Sequence, residues 1–202
     1  MIAENKPFIY LYDLPKCIAT SVKITEVIRK ACAYELTEPV QFKDARISMY
    51  TGLLSPLING IIKVDQKDFL TVAKAIKYFE ISDGQGKVWQ CRALPFDKDL
   101  IGGQKNILNL KQNVFLKKIP VDWTSKTVEE TFSQIGPVKS AKISLTPVLK
   151  TETNDKGKKF TVVDETLPCN SNGYGFVCFE SEEHAKALIG SQAFGAIEAI
   201  KF

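Results

Sequence analysis

The chain has 202 residues, 45% of them hydrophobic and 25% charged, which suits one large domain or two of about 100 residues, each able to bury a core without staples. A net charge of +4, from 27 basic and 23 acidic residues, excludes a blanket polycation, so nucleic-acid contact would depend on individually placed lysines and stacking rings. No apolar run approaches the roughly 20 residues that span a bilayer, and the opening Met1–Lys6 lacks a signal peptide's hydrophobic region, so a cytoplasmic chain with no membrane partner is expected, the nucleus also being open to it.

In chain order, the first half is expected to run as strand Phe8–Tyr12, helix Val22–Ala33, strands Ala45–Tyr50 and Ile61–Val64, helix Asp68–Phe79 and strand Val88–Leu94. Asp83–Lys87 reads as the turn before the last strand. Residues 98–111, with Gly102-Gly103 and scattered Asn and Lys, read as a linker, although Ile101, Ile107, Leu108 and Leu110 are too apolar for a wholly solvated tether.

The second half opens with strand Asn113–Lys117, which turns Val114 and Leu116 one way and Phe115 and Lys117 the other. Ser125 or Thr127 is placed to cap a helix over Val128–Ile135, and Gly136-Pro137 ends it. Strand Val138–Leu145 puts Ala141, Ile143 and Leu145 on one face and Lys142 and Ser144 on the other. A long polar segment, 146–172, carries a turn signal at Asn154–Gly157 before the short strand Lys159–Val163, which together suggest a protruding hairpin. Strand Gly173–Phe179, helix Glu182–Ile189 with His184 on its surface, and strand Ile197–Phe202 complete the order.

The halves echo each other. Ile9–Pro15 lines up with Val114–Pro120, and Ala45–Ser48 with Ala141–Ser144, as in a duplicated domain. The expected architecture is α+β: two ferredoxin-like βαββαβ domains over residues 1–97 and 112–202, each an antiparallel four-stranded sheet backed by two helices.

The strongest chemical signal is Asn172-Gly173-Tyr174-Gly175-Phe176-Val177-Cys178-Phe179. On a strand, Tyr174 and Phe176 share a face, and the flanking glycines would leave room for a base to lie flat. In the expected fold the first and third strands are central neighbours, which adds Phe115 to the same open surface. Three rings facing water are costly without a ligand or partner. Lys117 and Lys142 project from that face towards phosphates or base edges.

This octapeptide agrees at seven of eight positions with the RNP1 pattern of the RNA-recognition motif (RRM), Asn172 standing where a basic residue is usual, and Val114–Ile119 resembles the shorter RNP2. More narrowly, Asn113–Lys117, Glu130–Ser133 with Gly136, and Gly173–Glu180 resemble stretches of the second RRM of cytoplasmic poly(A)-binding proteins. Lys98-Asp99 and Arg92 fall where that family has a linker Arg-Asp pair and a last-strand arginine. The resemblance implies adenine-rich single-stranded RNA running along both sheets, translation-initiation or other messenger-RNA-bound proteins as further partners, and a monomer. RNA contacts are thereby expected at Tyr10, Tyr12, Arg46, Lys63, Arg92, Phe115, Lys117, Lys142, Tyr174 and Phe176.

The first half departs from the pattern. Tyr10 keeps the RNP2 ring, but the RNP1 stacking positions hold Ile61 and Lys63; Tyr12 compensates in part, and Arg46 is the counterpart of Lys142. The rival expectation is a protein-docking scaffold in an RNA-processing or translation complex, with RNA confined to the second domain. No phosphate-binding loop, nucleophile elbow or HExxH helix is present. The five cysteines form no CxxC pair, so reduced thiols, no metal, no cofactor and no catalysis are expected. An end on the last strand suits a two-domain piece of something longer.

Overall fold

The computed structural model describes residues 8–32, 40–44, 56–95, 110–191 and 194–201. In the first half these form β1 (Phe8–Pro15), α1 (Ser21–Cys32), β2 (Gln41–Asp44), β3 (Leu57–Lys63), α2 (Phe69–Ala75), β4 (Tyr78–Ser82) and β5 (Val88–Pro95). In the second half they form β6 (Asn113–Lys117), α3 (Ser125–Phe132), β7 (Val138–Thr146), β8 (Leu149–Thr153), β9 (Lys159–Val163), β10 (Asn170–Phe179), α4 (Glu182–Gly190) and β11 (Glu198–Lys201). Two compact units result. Unit 1 holds the described residues of Met1–Phe96 together with Pro147–Cys169, and unit 2 those of Asp97–Thr146 together with Asn170–Phe202.

Unit 2 has an antiparallel sheet in the order β11-β6-β10-β7. Val114 and Leu116 of β6, Ala141 and Ile143 of β7, and Val177 and Phe179 of β10 point to one side. There they meet Val128 and Phe132 of α3 and Ala185 and Leu188 of α4 in a single buried cluster. Burial of these side chains, at about 25 cal/mol per Å² of apolar surface, holds the helices to one face and leaves the other open. This is the expected ferredoxin-like arrangement.

Local details differ from expectation. The cap of α3 is Thr124, whose Oγ1 accepts from Thr127 N at 3.1 Å while Thr127 Oγ1 accepts from Thr124 N, a reciprocal capping box. Ser125, expected as a cap, instead accepts from Ile143 N at 3.1 Å and so ties α3 to β7. Leu145, expected to face the core, is 37% exposed because it lies beyond an irregularity in the β10–β7 pairing. His184 is half-buried rather than on the surface. Its Nδ1 lies 3.0 Å from Ser181 Oγ, and its ring sits so close over Gly136 that a Cβ there would come within 2.3 Å of it.

Unit 1 repeats the plan with a fifth strand, in the order β2-β3-β1-β5-β4. Ile9, Leu11, Ile62, Ile81, Trp89, Cys91 and Ala93 pack from the sheet against Ile24 and Ile28 of α1 and Val72 and Ala73 of α2. The helix expected over Asp68–Phe79 stops at Ala75. Val72, Ile76 and Phe79 keep helical spacing in sequence, but Tyr78–Ser82 alternates buried Phe79 and Ile81 with exposed or half-buried neighbours and pairs with β5 as a hairpin. Its turn is Asp83–Lys87, where Asp83 Oδ1 accepts from Gln85 N at 2.8 Å and Lys87 N at 3.1 Å, and both glycines take positive φ. The expected strand Ala45–Tyr50 and most of the expected linker lie outside the described residues.

Residues 147–169 belong to the second half in sequence and to unit 1 in space. They contain the β8–β9 hairpin, turned at Asn154, whose Oδ1 accepts from Lys156 N and Lys158 N. Just beyond β9, Glu165 pairs with Lys16 at 2.7 Å, and Lys87 Nζ donates to the Thr166 carbonyl at 3.0 Å. Burial pushes the Cys169 thiol at the end of this segment up to about 11, with the Asp13 carboxylate adding to the rise.

Candidate nucleic-acid interface

On the open side of the unit 2 sheet, register sets the side chains out in rows. Opposed residues in antiparallel pairs share a face, so Lys142, Phe176, Phe115 and Ile200 form one row across β7, β10, β6 and β11. The next row is Tyr174, Lys117 and Glu198. Ring centroids of Phe115 lie 5.0 Å from Phe176 and 5.8 Å from Tyr174, at interplanar angles of 43° and 60°. Tyr174 is 41% exposed, and the Lys117 ammonium stands 5.8 Å from the Phe115 centroid. The result is a shallow aromatic floor flanked by cations. Flat π-faces accept bases without hydrogen-bond readout, and the two lysines supply positive charge at its margin.

A bulge aims this floor. Between Ser171 and Gly175 β10 advances four residues while β7 advances two, from Leu145 to Ile143. Such bulges redirect side chains. Asn172, at the position usually basic in RNP1, hydrogen-bonds Thr146 and donates to Ser144 Oγ at 2.9 Å, so it fastens the bulge to β7. Gly173 takes φ +72°, and its carbonyl accepts from Ile119 N at 2.8 Å. A Cβ on Gly175 would lie 2.3 Å from the Lys142 carbonyl oxygen. From sequence, both glycines were expected to make room for a base; the structure gives each a backbone reason instead.

In unit 1 the corresponding face carries Phe8, Tyr10 and Tyr12, alternating with buried Ile9 and Leu11 on β1. Tyr10 lies opposite Ile61 and Leu94, and Phe8 opposite Lys63, whose ammonium stands 5.1 Å from the Phe8 centroid. Arg92, opposite Tyr12, is 8% exposed. Its Nε donates to Asp13 Oδ2 at 2.8 Å and its guanidinium lies 5.4 Å from the Tyr12 centroid. Burial raises the Tyr12 phenol above its ordinary value, and the Arg92 cation opposes that rise. Arg46 lies outside the described residues. Phe8 and Ile200 were missed from sequence; the alternation from Tyr10 to Phe8, and from Glu198 to Ile200, was the signal for each.

The same corner recurs in both units with its charges exchanged. Asp13, within β1 at the irregularity in its pairing with β3, and Lys118, just after β6, occupy equivalent places in the two halves, and both take positive φ, 62° and 58°. Asp13 pairs with Arg92 on the strand beside it, whereas Lys118 pairs with Glu198 on β11. The Lys118 hydrogen bond holds the Glu198 carboxyl below its ordinary value. Asp13→Asn keeps a residue that tolerates positive φ but removes the carboxylate from a largely buried pair. It is expected to destabilise unit 1 by about 2 kcal/mol, read as a lower denaturation midpoint in the fluorescence of Trp89. A change below about 0.5 kcal/mol would show that the pair adds nothing to stability.

No family model matches the chain. It is similar to the cytoplasmic and nuclear polyadenylate-binding protein of Encephalitozoon cuniculi, with 32% identity over 77 residues, and to an uncharacterized RNA-binding protein of Saccharomyces cerevisiae, with 29% over 86. These matches take in 38% and 42% of this chain but only 11% of each relative. Among solved structures, a Sxl-lethal protein/RNA complex aligns over 96% of this chain and 98% of its own, at 12% identity and a TM-score of 0.40. Strand order, register and core establish two RRM-type folds in tandem, and the sequence relatives are RNA-binding proteins by name.

Proposed function

We propose that this chain binds single-stranded RNA, chiefly through the open sheet face of unit 2. Phe115, Tyr174 and Phe176 stack bases, and Lys117 and Lys142 meet phosphates or base edges. The observation that carries this reading is the cluster of three rings in contact on a face the helices leave uncovered. Its natural ligand is the adenine-rich tail of messenger RNA, with a role in message stability or translation in the cytoplasm. The motif resemblance and the similarity to a polyadenylate-binding protein support that choice of base. Stacking alone accepts every base.

The test is fluorescence anisotropy of labelled A, U and C oligonucleotides at several salt concentrations. The A oligomer should bind best. Two lysines on the face imply a shallow salt dependence, with a log–log slope of about −1.4. Equal affinity for all three would remove the adenine preference and keep RNA binding. Absence of binding to any of them near physiological salt would overturn the reading and favour a protein ligand.

A further inference from the structure

We propose that Thr146 is a phosphorylation site for a proline-directed protein kinase, and that a phosphate there switches the unit 2 face to a weaker RNA-binding state. This rests on the RNA-binding reading above and names a regulation of that same surface. The starting point is Thr146-Pro147, the one place among the described residues where a serine or threonine precedes a proline. Kinases of this class take an extended acceptor with proline directly after the hydroxyl.

Three observations support it. First, the acceptor is presented in the form such a kinase binds. Thr146 is exposed at the end of β7, its peptide bond to Pro147 is trans, and a proline holds the residue before it extended. β7 is an edge strand of its sheet, and Leu145 and Leu149, on either side of the dipeptide, are both exposed. Second, the hydroxyl has a structural task that a phosphate ends. Thr146 Oγ1 donates to Asn172 Oδ1, and Asn172 Nδ2 donates to Ser144 Oγ at 2.9 Å, the two bonds that fasten the β10 bulge. A phosphorylated Oγ1 has no proton to donate, and the phosphoryl group fills the space between the two side chains, so the hold on Asn172 from Thr146 is lost. Tyr174 lies in the same bulge, two residues beyond Asn172, so the setting of its ring against Phe115 loosens. Third, the added charge has the wrong sign for RNA. By alternation along β7, Thr146 shares a side with Ser144 and Lys142. Phosphothreonine carries a charge of roughly −1.5 to −2 at pH 7, which offsets the lysines of the floor and repels RNA phosphates. In the transfer step the γ-phosphorus of ATP loses its bond to the β-bridging oxygen and gains one to Thr146 Oγ1. The hydroxyl proton passes to the base of the kinase, and ADP leaves.

The experiment treats the whole chain with a proline-directed kinase and ATP, locates the phosphate by fragment mass, and reads the anisotropy of a labelled adenine oligonucleotide. A Ser55→Ala background removes the chain's other such dipeptide, Ser55-Pro56. Thr146 should be modified, and Pro147→Ala should abolish the modification while leaving RNA binding unchanged. The phosphorylated chain should bind the oligonucleotide about tenfold more weakly, and phosphatase treatment should restore the affinity. The loss should narrow as salt rises without vanishing, because salt screens the charge and not the unfastened bulge. Thr146→Val, which removes the bond to Asn172 without adding charge, should weaken binding only about twofold. No incorporation at Thr146, under conditions that modify a free peptide of residues 140–152, would show the hydroxyl to be out of reach in the fold and overturn the proposal. Unchanged affinity after phosphorylation, with Phe176→Ala still weakening binding, would refute the switch and leave the RNA reading standing. If the unmodified chain binds no oligonucleotide, the switch falls with that reading, and incorporation alone decides the site.

Discussion

Replacing Gly175 by alanine is expected to lower the unfolding midpoint of unit 2 by more than about 10 °C. Gly175 is buried at the centre of β10, paired with Leu116 on one side and Ile143 on the other. A Cβ there would sit 2.3 Å from the Lys142 carbonyl oxygen and 3.1 Å from Ile143 Cα. Both atoms are backbone, so no side-chain rotation relieves the clash, and β10 and β7 have to separate. Overpacking of this kind costs about 3 kcal/mol or more. The chain's two tryptophans make the test specific, because Trp89 lies in the core of unit 1 and Trp123 against that of unit 2. In a Trp89→Phe background, Trp123 fluorescence should report the early transition. An unshifted Trp123 transition would mean that the strand pairing yields without cost.

The second large effect is on binding. Phe115→Ala and Phe176→Ala should each weaken an A oligonucleotide by roughly 10- to 100-fold, from 1–3 kcal/mol per lost stack. Because their centroids are only 5.0 Å apart, the double variant should fall short of the sum of the two. The salt slope should stay the same in all three, since Lys117 and Lys142 remain. That combination separates a stacking surface from an electrostatic one: lower affinity with a lower slope would assign the binding to charge, and unchanged affinity would remove the rings from the site. Both residues are half-buried on the outer face rather than in the core, so the variants should fold.

Alternation and motif made the open face of unit 2 legible before any coordinates. Phe115, Tyr174 and Phe176 meet as their strand positions require, because period-2 patterning fixes a face once strand order is known. What escaped was set by tertiary geometry. Helical spacing through Phe79 concealed β4, since a short apolar run fits either period and pairing with β5 decided between them. The crowding behind Gly175 depends on how closely β7 passes, which no local pattern reports. Arg92 was expected at the RNA on resemblance alone, and nothing in sequence shows that Asp13, at a positive φ, pairs with it. The departure of 147–169 to unit 1 is of the same kind, since hairpin signals indicate strands and not the body they join.

That departure has a consequence for the order in which the protein is made. Unit 1 is built mainly from residues up to Phe96, yet it includes residues as far as Cys169. At typical synthesis rates of about 5–20 residues per second, the ribosome needs on the order of several seconds after Phe96 to deliver the hairpin and the Glu165 partner of Lys16. The first unit therefore reaches its full set of contacts only after β6, α3 and β7 of the second have been translated, so the completion of the leading domain is delayed into the synthesis of the one that follows it.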